Sequence, residues 1–232
     1  MPALCADHPA LTRRGLSAAT CAYLGCGAYG EDRKGPLAGR IVFQVRGVEE
    51  NGGQLRPVIL THMGRALTDA QERDGGKWHA YGGFRKTLEI YNLDHLLLDD
   101  HAIAQAQACG HVLLVEGCFD VAALVEAGIR NVGATFGAHL DDDQLPRLEQ
   151  IAARTGVSRF RIWYDRDNAG AQGQQKAVER INATGTMTAE GFDWDIAFPS
   201  PARGAVQIPQ SLTDPGEFTA EQLRFLRDRG AI

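Results

Sequence analysis

The apolar and polar positions of this chain fall into two rhythms. Up to about residue 110 the pattern is mixed. Residues 11–24 carry a short apolar helical pattern, with Ser17 as a plausible N-cap and Gly25 as a stop. GRIVFQVRG (39–47) alternates and is rich in β-branched residues, so it predicts a strand. Asn51-Gly52-Gly53 marks a turn, and RPVILTHMG (56–64) returns as the second arm of an antiparallel hairpin. Residues 68–84 are polar and Gly-rich and are expected to form a long loop, a place where function gathers. LEIYNLDHLLLDD comes next, and AIAQAQACG predicts a helix ending at Gly110.

From 111 the rhythm becomes strand–helix alternation. HVLLV (111–115), NVGAT (131–135), RFRIWY (159–164) and DWDIAFPS (193–200) are expected strands. FDVAALVEAG (119–128), DDDQLPRLEQIAARTG (141–156), AGAQGQQKAVERINATG (169–185) and EQLRFLRDRG (221–230) are expected helices. Alternation of this kind predicts a parallel, doubly wound sheet. Neither repeats nor low-complexity runs interrupt it.

Composition narrows the class. The 232 residues are 44% hydrophobic and 23% charged, too apolar for a disordered chain. No apolar run approaches a membrane span, and the N-terminus lacks a signal-peptide core, so no membrane partner is expected and a cytoplasmic setting is. Five scattered cysteines fit reduced thiols. Cys5 and His8 followed by Cys21 and Cys26 approach a zinc cluster, but Cys21-x4-Cys26 falls across a helix end and its turn, and no zinc is assigned. Gly25-Cys-Gly27-Ala-Tyr-Gly30 spells a dinucleotide fingerprint in the wrong context, after a helix instead of a strand. The net charge of -5 argues at first against nucleic acid. Residues 1–100, however, hold 12 basic and 12 acidic residues, and 101–232 hold 12 against 17, so the excess acid lies in the second half.

In an open parallel sheet, function collects at the carboxyl ends of the strands. The first strand ends at Glu116-Gly117 and the third at Asp165-Arg-Asp167-Asn-Ala-Gly170. Asp165 and Asp167, two apart on an extended chain, can share one side. Taken alone, such a pair reads as a solvated turn. Combined with Glu116 in one βαβ frame, it reads as clustered carboxylates that repel unless a cation holds them, and hard oxygens suit Mg²⁺.

VEGCFDVAALVEAG, NVGATFGAHL and WYDRDNAG together resemble a Toprim domain, the catalytic module of bacterial DnaG-type primases, topoisomerases and certain nucleases. HPALTRRGLSAATCAYLGCGAYG, GRIVFQVRG, MGRAL and YGGFRKTLEIYNL resemble the subdomain that precedes it in DnaG-type primase cores. The resemblance implies an α/β fold: a Rossmann-like Toprim domain with a central parallel four-stranded sheet flanked by helices, preceded by a smaller α+β primase-type subdomain. It divides the chain into 1–105, 106–200 and a completing acidic segment with helix at 201–232. It does not extend to the family's zinc ribbon or helicase-binding domain.

By position, Glu116 matches the Toprim glutamate, a general acid/base or metal ligand. Asp165 and Asp167 match the metal-binding acids, and Asp120 an acid supporting that site. Asp214 fits the first acid of the family's later D-P-D, where Gly216 stands in place of the second and Glu217 is its neighbour. Arg65, Lys77 and Lys86 resemble basic residues of the primase groove, with Arg40, Arg46 and Arg85 as weaker phosphate-binding candidates. Trp78, Tyr81 and Phe84 are interleaved as possible base-stacking rings.

The implied activity is primer synthesis from nucleoside triphosphates on single-stranded DNA with Mg²⁺ or Mn²⁺, two ions. The implied partners are a separate zinc-ribbon protein or a replicative helicase, in a bacterial, phage or mobile-element setting. A Toprim nuclease and a degenerate DNA- or partner-binding module are the alternatives.

Overall fold

A computed structural model describes residues 4–200 and 204–232 and divides the chain into two compact units, 1–85 and 86–232. The first unit begins with two short helices, α1 (Pro9–Thr12) and α2 (Ala18–Leu24), where one helix was expected over 11–24. Gly15, at φ 71°, breaks the chain between them. Ser17 caps α2 by accepting the Thr20 amide, and Gly25 ends it in the left-handed conformation. Strand β1 (Cys26–Ala28) comes directly after, so the glycine-rich stretch is a helix stop running into a strand. β2 (Ile41–Asn51) and β3 (Gln54–Arg65) form the expected hairpin about Gly52-Gly53, with a bulge at Val45/Arg46.

The expected loop over 68–84 is ordered instead. Thr68 accepts the Gln71 amide and caps α3 (Asp69–Gly75), whose first turn holds Asp69 and Glu72, as the helix dipole favours. β4 (Trp78–Ala80) then pairs with Met63–Arg65. The antiparallel sheet runs β1-β2-β3-β4 around a core that includes Leu11, Leu24, Leu37, Val42 and Phe43.

The second unit contains α4 (Leu93–Leu98), α5 (Asp100–Cys109), β5 (Val112–Val115), α6 (Cys118–Glu126), β6 (Val132–Ala134), α7 (Leu145–Thr155), β7 (Arg159–Trp163), α8 (Asn168–Ala183), β8 (Thr188–Gly191), β9 (Ala197–Ser200), β10 (Gly204–Gln207) and α9 (Ala220–Asp228). Because α4 and α5 pack against α7, the unit boundary falls before them, after Arg85, and not after residue 105.

β6, β5, β7 and β8 form the parallel four-stranded sheet in that order, the architecture anticipated from the alternating pattern. Its fourth strand is β8, however, not 193–200. Residues 197–200 pair instead with β10 in a separate two-stranded antiparallel ribbon. The segment Thr188–Gly191 is polar and mostly exposed on the sheet edge, so it carries no apolar signature, whereas the AFP of 197–199 does. The first residues of the 201–232 segment lie outside the described residues. Among the described residues, no helix is long and apolar enough to cross a membrane.

Candidate active site

The carboxyl ends of β5 and β7 are neighbours, since Val115 pairs with Trp163. Glu116 leaves β5 at once, and its Oε1 accepts the backbone amide of Asp165 at 2.9 Å, which ties the two strand ends together. β7 stops at Trp163, so Asp165 and Asp167 sit in the turn beyond it and not on the strand. Asp167 is the N-cap of α8: its Oδ1 accepts the Gly170 amide at 2.7 Å. Gly170 is required by a close approach, because a Cβ there would lie 2.1 Å from the Asp165 carbonyl oxygen. The run DRDNAG is thus one turn folded on itself, and it fixes both acids at the mouth of the sheet.

Asp120, in the first turn of α6, is buried, and its Oδ2 accepts the Gly117 amide at 2.8 Å. Asp214 precedes a 3-10 turn at Pro215–Glu217. A Cβ on Gly216 would lie 3.0 Å from the Asp214 Oδ1 and 3.6 Å from the Asp120 Oδ1, so the position without an acid faces two carboxylates. Glu217 points away from them: its Oε2 accepts the Thr213 amide at 2.5 Å and the Thr213 hydroxyl at 3.0 Å, closing the turn.

These acids feel one another. Burial pushes the Glu116 carboxyl above its ordinary range, the Asp165 amide draws it back, and the charges of Asp167 and Asp214 raise it further. Burial raises Asp120 well above the usual range. Asp214 and Asp165 add to that, the Gly117 amide opposes it, and Glu116 contributes last. Negative charge is concentrated here against its own repulsion. Among the described residues, however, no three His, Cys, Asp or Glu side chains gather closely enough to enclose one ion. The donor set is all oxygen. It suits a hard dication that keeps waters and meets substrate phosphates, not one caged by protein alone.

The basic candidates divide. Arg40 is buried, and its guanidinium donates to the carbonyls of Gln71 (2.7 Å), Gly76 (2.9 Å) and Gly64 (3.4 Å). It is an internal strut across α3 and β3, not a phosphate ligand. Arg46 donates to the Tyr23 carbonyl at 2.9 Å. The Arg65 guanidinium lies 5.7 Å over the Trp78 ring. Burial and the charge of Arg14 lower the Arg65 pKa, and Glu72 opposes them. Trp78 packs on Phe43 at 6.0 Å, so this ring is engaged within the unit. Lys77, Tyr81 and Arg85 are exposed. Lys86 belongs to the second unit, where its Nζ reaches the Phe136 carbonyl at 3.4 Å.

Sequence reasoning missed Arg14, the cationic neighbour of Arg65. It also missed Arg166, between the two aspartates, whose guanidinium reaches the Ile208 and Pro209 carbonyls. Adjacent Arg13-Arg14 and the D-R-D triplet were the visible signals.

The second unit is an α/β domain whose parallel sheet presents acids just beyond the carboxyl ends of its two central strands. Residues 110–189 match the Toprim domain family. The chain is 27% identical over 195 residues to a DNA primase of Enterococcus faecalis, a match covering 82% of this chain and 27% of that protein. The Aquifex aeolicus primase, solved as its zinc-binding and RNA polymerase domains, superposes with a TM-score of 0.65 at 20% identity, covering 95% of this chain and 54% of that one. A DnaG primase catalytic domain bound to single-stranded DNA gives 0.60 at 18% identity, over 97% and 70%. Residues 110–189 are thus similar to the Toprim domain family, and the chain shares its fold with primase catalytic cores. It spans about a quarter of the length of the curated primase it matches.

Proposed function

We propose that the chain is a metal-dependent nucleotidyltransferase that synthesises short primers on single-stranded DNA from nucleoside triphosphates. The observation that carries this reading is the edge of mutually repelling carboxylates at the ends of β5 and β7, in a fold shared with primase cores. Glu116, Asp165 and Asp167 would hold Mg²⁺ or Mn²⁺, with Asp120 and Asp214 supporting. A bound dication supplies charge stabilisation for the triphosphate and lowers the pKa of the attacking 3′-hydroxyl. The chain's own part is orientation. The Asp165 amide fixes the Glu116 carboxylate, the Gly170 amide fixes Asp167, and the Gly117 amide fixes Asp120. Lys77, Arg85, Arg65 and Lys86 are the candidates for phosphate contacts. Arg40, an internal strut, does not belong to that set.

Residues 1–85 hold 11 basic and 8 acidic residues and residues 86–232 hold 13 and 21, so template binding should weaken steeply with salt and depend on added dication. A zinc-ribbon module or a helicase would be a partner for site choice. The test is incubation with single-stranded DNA, Mg²⁺ or Mn²⁺, and each nucleotide set. Extension products that disappear in Asp165→Asn support the reading. Cleavage without extension would assign a nuclease instead. Neither product, with intact DNA binding, would make it a binding module.

A further inference from the structure

Asp214 lies outside the matched Toprim region, on a segment that the parallel sheet does not itself position. Something must bring it to the edge where Glu116, Asp165 and Asp167 sit. The 3-10 turn after it packs against α6, Phe218 meets Trp163 edge-on at 5.4 Å, and a third set of contacts comes from Arg166. Its amide donates to the Thr213 carbonyl at 2.6 Å, one residue before Asp214. Its guanidinium donates from one nitrogen to the carbonyls of Ile208 and Pro209, each at 3.3 Å. The same guanidinium lies 5.3 Å over the Trp194 ring. That ring meets Trp163 edge-on at 5.9 Å and tilts against Phe218 at 6.3 Å, so it is braced by the last residue of β7 and by the residue after the 3-10 turn. Arginine suits this place. Its planar fork stays charged and can stack on a ring while donating in its plane, a combination lysine lacks.

We propose that Arg166 is a positioning residue that clamps the 208–214 segment onto the D-x-D turn, so that Asp214 acts together with Asp165 and Asp167 on one cation cluster. The inference rests on the metal reading above and adds a specific mechanical link to it. The backbone bond from the Arg166 amide sets the register of Thr213 and Asp214 against the turn. The side chain holds the start of the segment, at Ile208 and Pro209. At the far end, Gly216 avoids a Cβ that would lie 3.0 Å from the Asp214 Oδ1. The residue between two aspartates thereby controls a third that lies far away in sequence.

The test is a Mn²⁺ titration, read by calorimetry or by the signal of free Mn²⁺, on the full chain and on Arg166→Gln, Asp214→Asn, the double variant and Asp165→Asn. Coupling between residues that act as one unit predicts a loss of about tenfold in affinity for each of the first two, with no further loss in the double variant. Amide exchange at Asp214 and Gly216 should quicken in Arg166→Gln, while the melting temperature changes little. Wild-type affinity in Arg166→Gln, or losses that multiply in the double variant, would overturn the clamp while leaving the metal reading in place, provided Asp165→Asn still abolishes binding. Unchanged binding in Asp165→Asn would overturn the metal reading and the clamp together. Should Arg166→Gln fail to fold, Arg166→Lys keeps the charge and loses the fork. It is expected to bind Mn²⁺ more weakly than wild type, and equal affinity would refute the clamp.

Discussion

Two charged places on the same parallel sheet behave in opposite ways. Within the strands, Arg161 on β7 stands opposite Glu190 on β8, and the two pair through Nε (3.0 Å) and Nη2. The hydrogen bond from Arg161 draws the Glu190 carboxyl below its ordinary range. At the carboxyl ends, Glu116 and Asp120 are buried among other acids and driven the other way. One place is electrostatically complete within the chain. The other is held together by backbone amides and the surrounding fold while its charges repel, the condition expected of a site built for a ligand of opposite charge. The second place, where the acids raise one another's pKa, is where function should be sought.

Several substitutions probe this contrast. Asp165→Asn or Asp167→Asn should lower metal-dependent primer synthesis by about a hundredfold or more, because several kcal/mol of transition-state charge stabilisation depend on these ligands, while circular dichroism stays unchanged. Activity near wild type would remove the acids from the chemistry. Gly170→Ala attacks the frame instead. The 2.1 Å approach leaves no room for a methyl group, and a loss of about 1–3 kcal/mol is expected in denaturant unfolding.

Asp120→Asn should do the reverse in metal-free protein. In the unfolded chain this carboxyl ionises near 3.8, and in the folded chain it ionises at a higher pH. Across that window the folded state holds the extra proton, so stability falls as pH rises, and the full penalty persists above the folded pKa. The amide variant should therefore melt a few degrees higher than wild type at pH 7–8 without metal, with the difference vanishing below pH 4. A lower melting temperature at pH 8 would show that the carboxylate is compensated after all. Glu190→Gln should matter least, at no more than about 1 kcal/mol, since the Glu190 side chain is 49% exposed and solvent screens the pair.

The parallel half was legible because position is dictated by topology. A buried apolar run such as Val112–Val115 must end, and the residues just beyond it lie at the mouth of the sheet, so Glu116 and the D-x-D acids could be named from the chain alone. β8 was not legible, since an edge strand as polar as TAEG buries too little to leave a pattern. The helix α3 was hidden by its glycines, although Thr68 with Asp69 and Glu72 spelled an N-terminus. The basic residues were the hardest. Arg40 and Lys77 look alike as letters, yet one is an internal strut satisfied by three carbonyls and the other is exposed, and only the packing distinguishes them. Arg166 was overlooked because its partners, the carbonyls of 208, 209 and 213, leave no mark in the sequence.

The central claim is that the carboxylate edge of the second unit takes up a divalent cation. Calorimetric titration of Mg²⁺ and Mn²⁺ into the full chain, at pH 6 and at pH 8, tests it most directly. The account predicts saturable binding that is never weaker at the higher pH, because the raised carboxyls of Glu116 and Asp120 must ionise, and that disappears in Asp165→Asn. Absence of saturable binding at either pH, or binding untouched by Asp165→Asn, would contradict it.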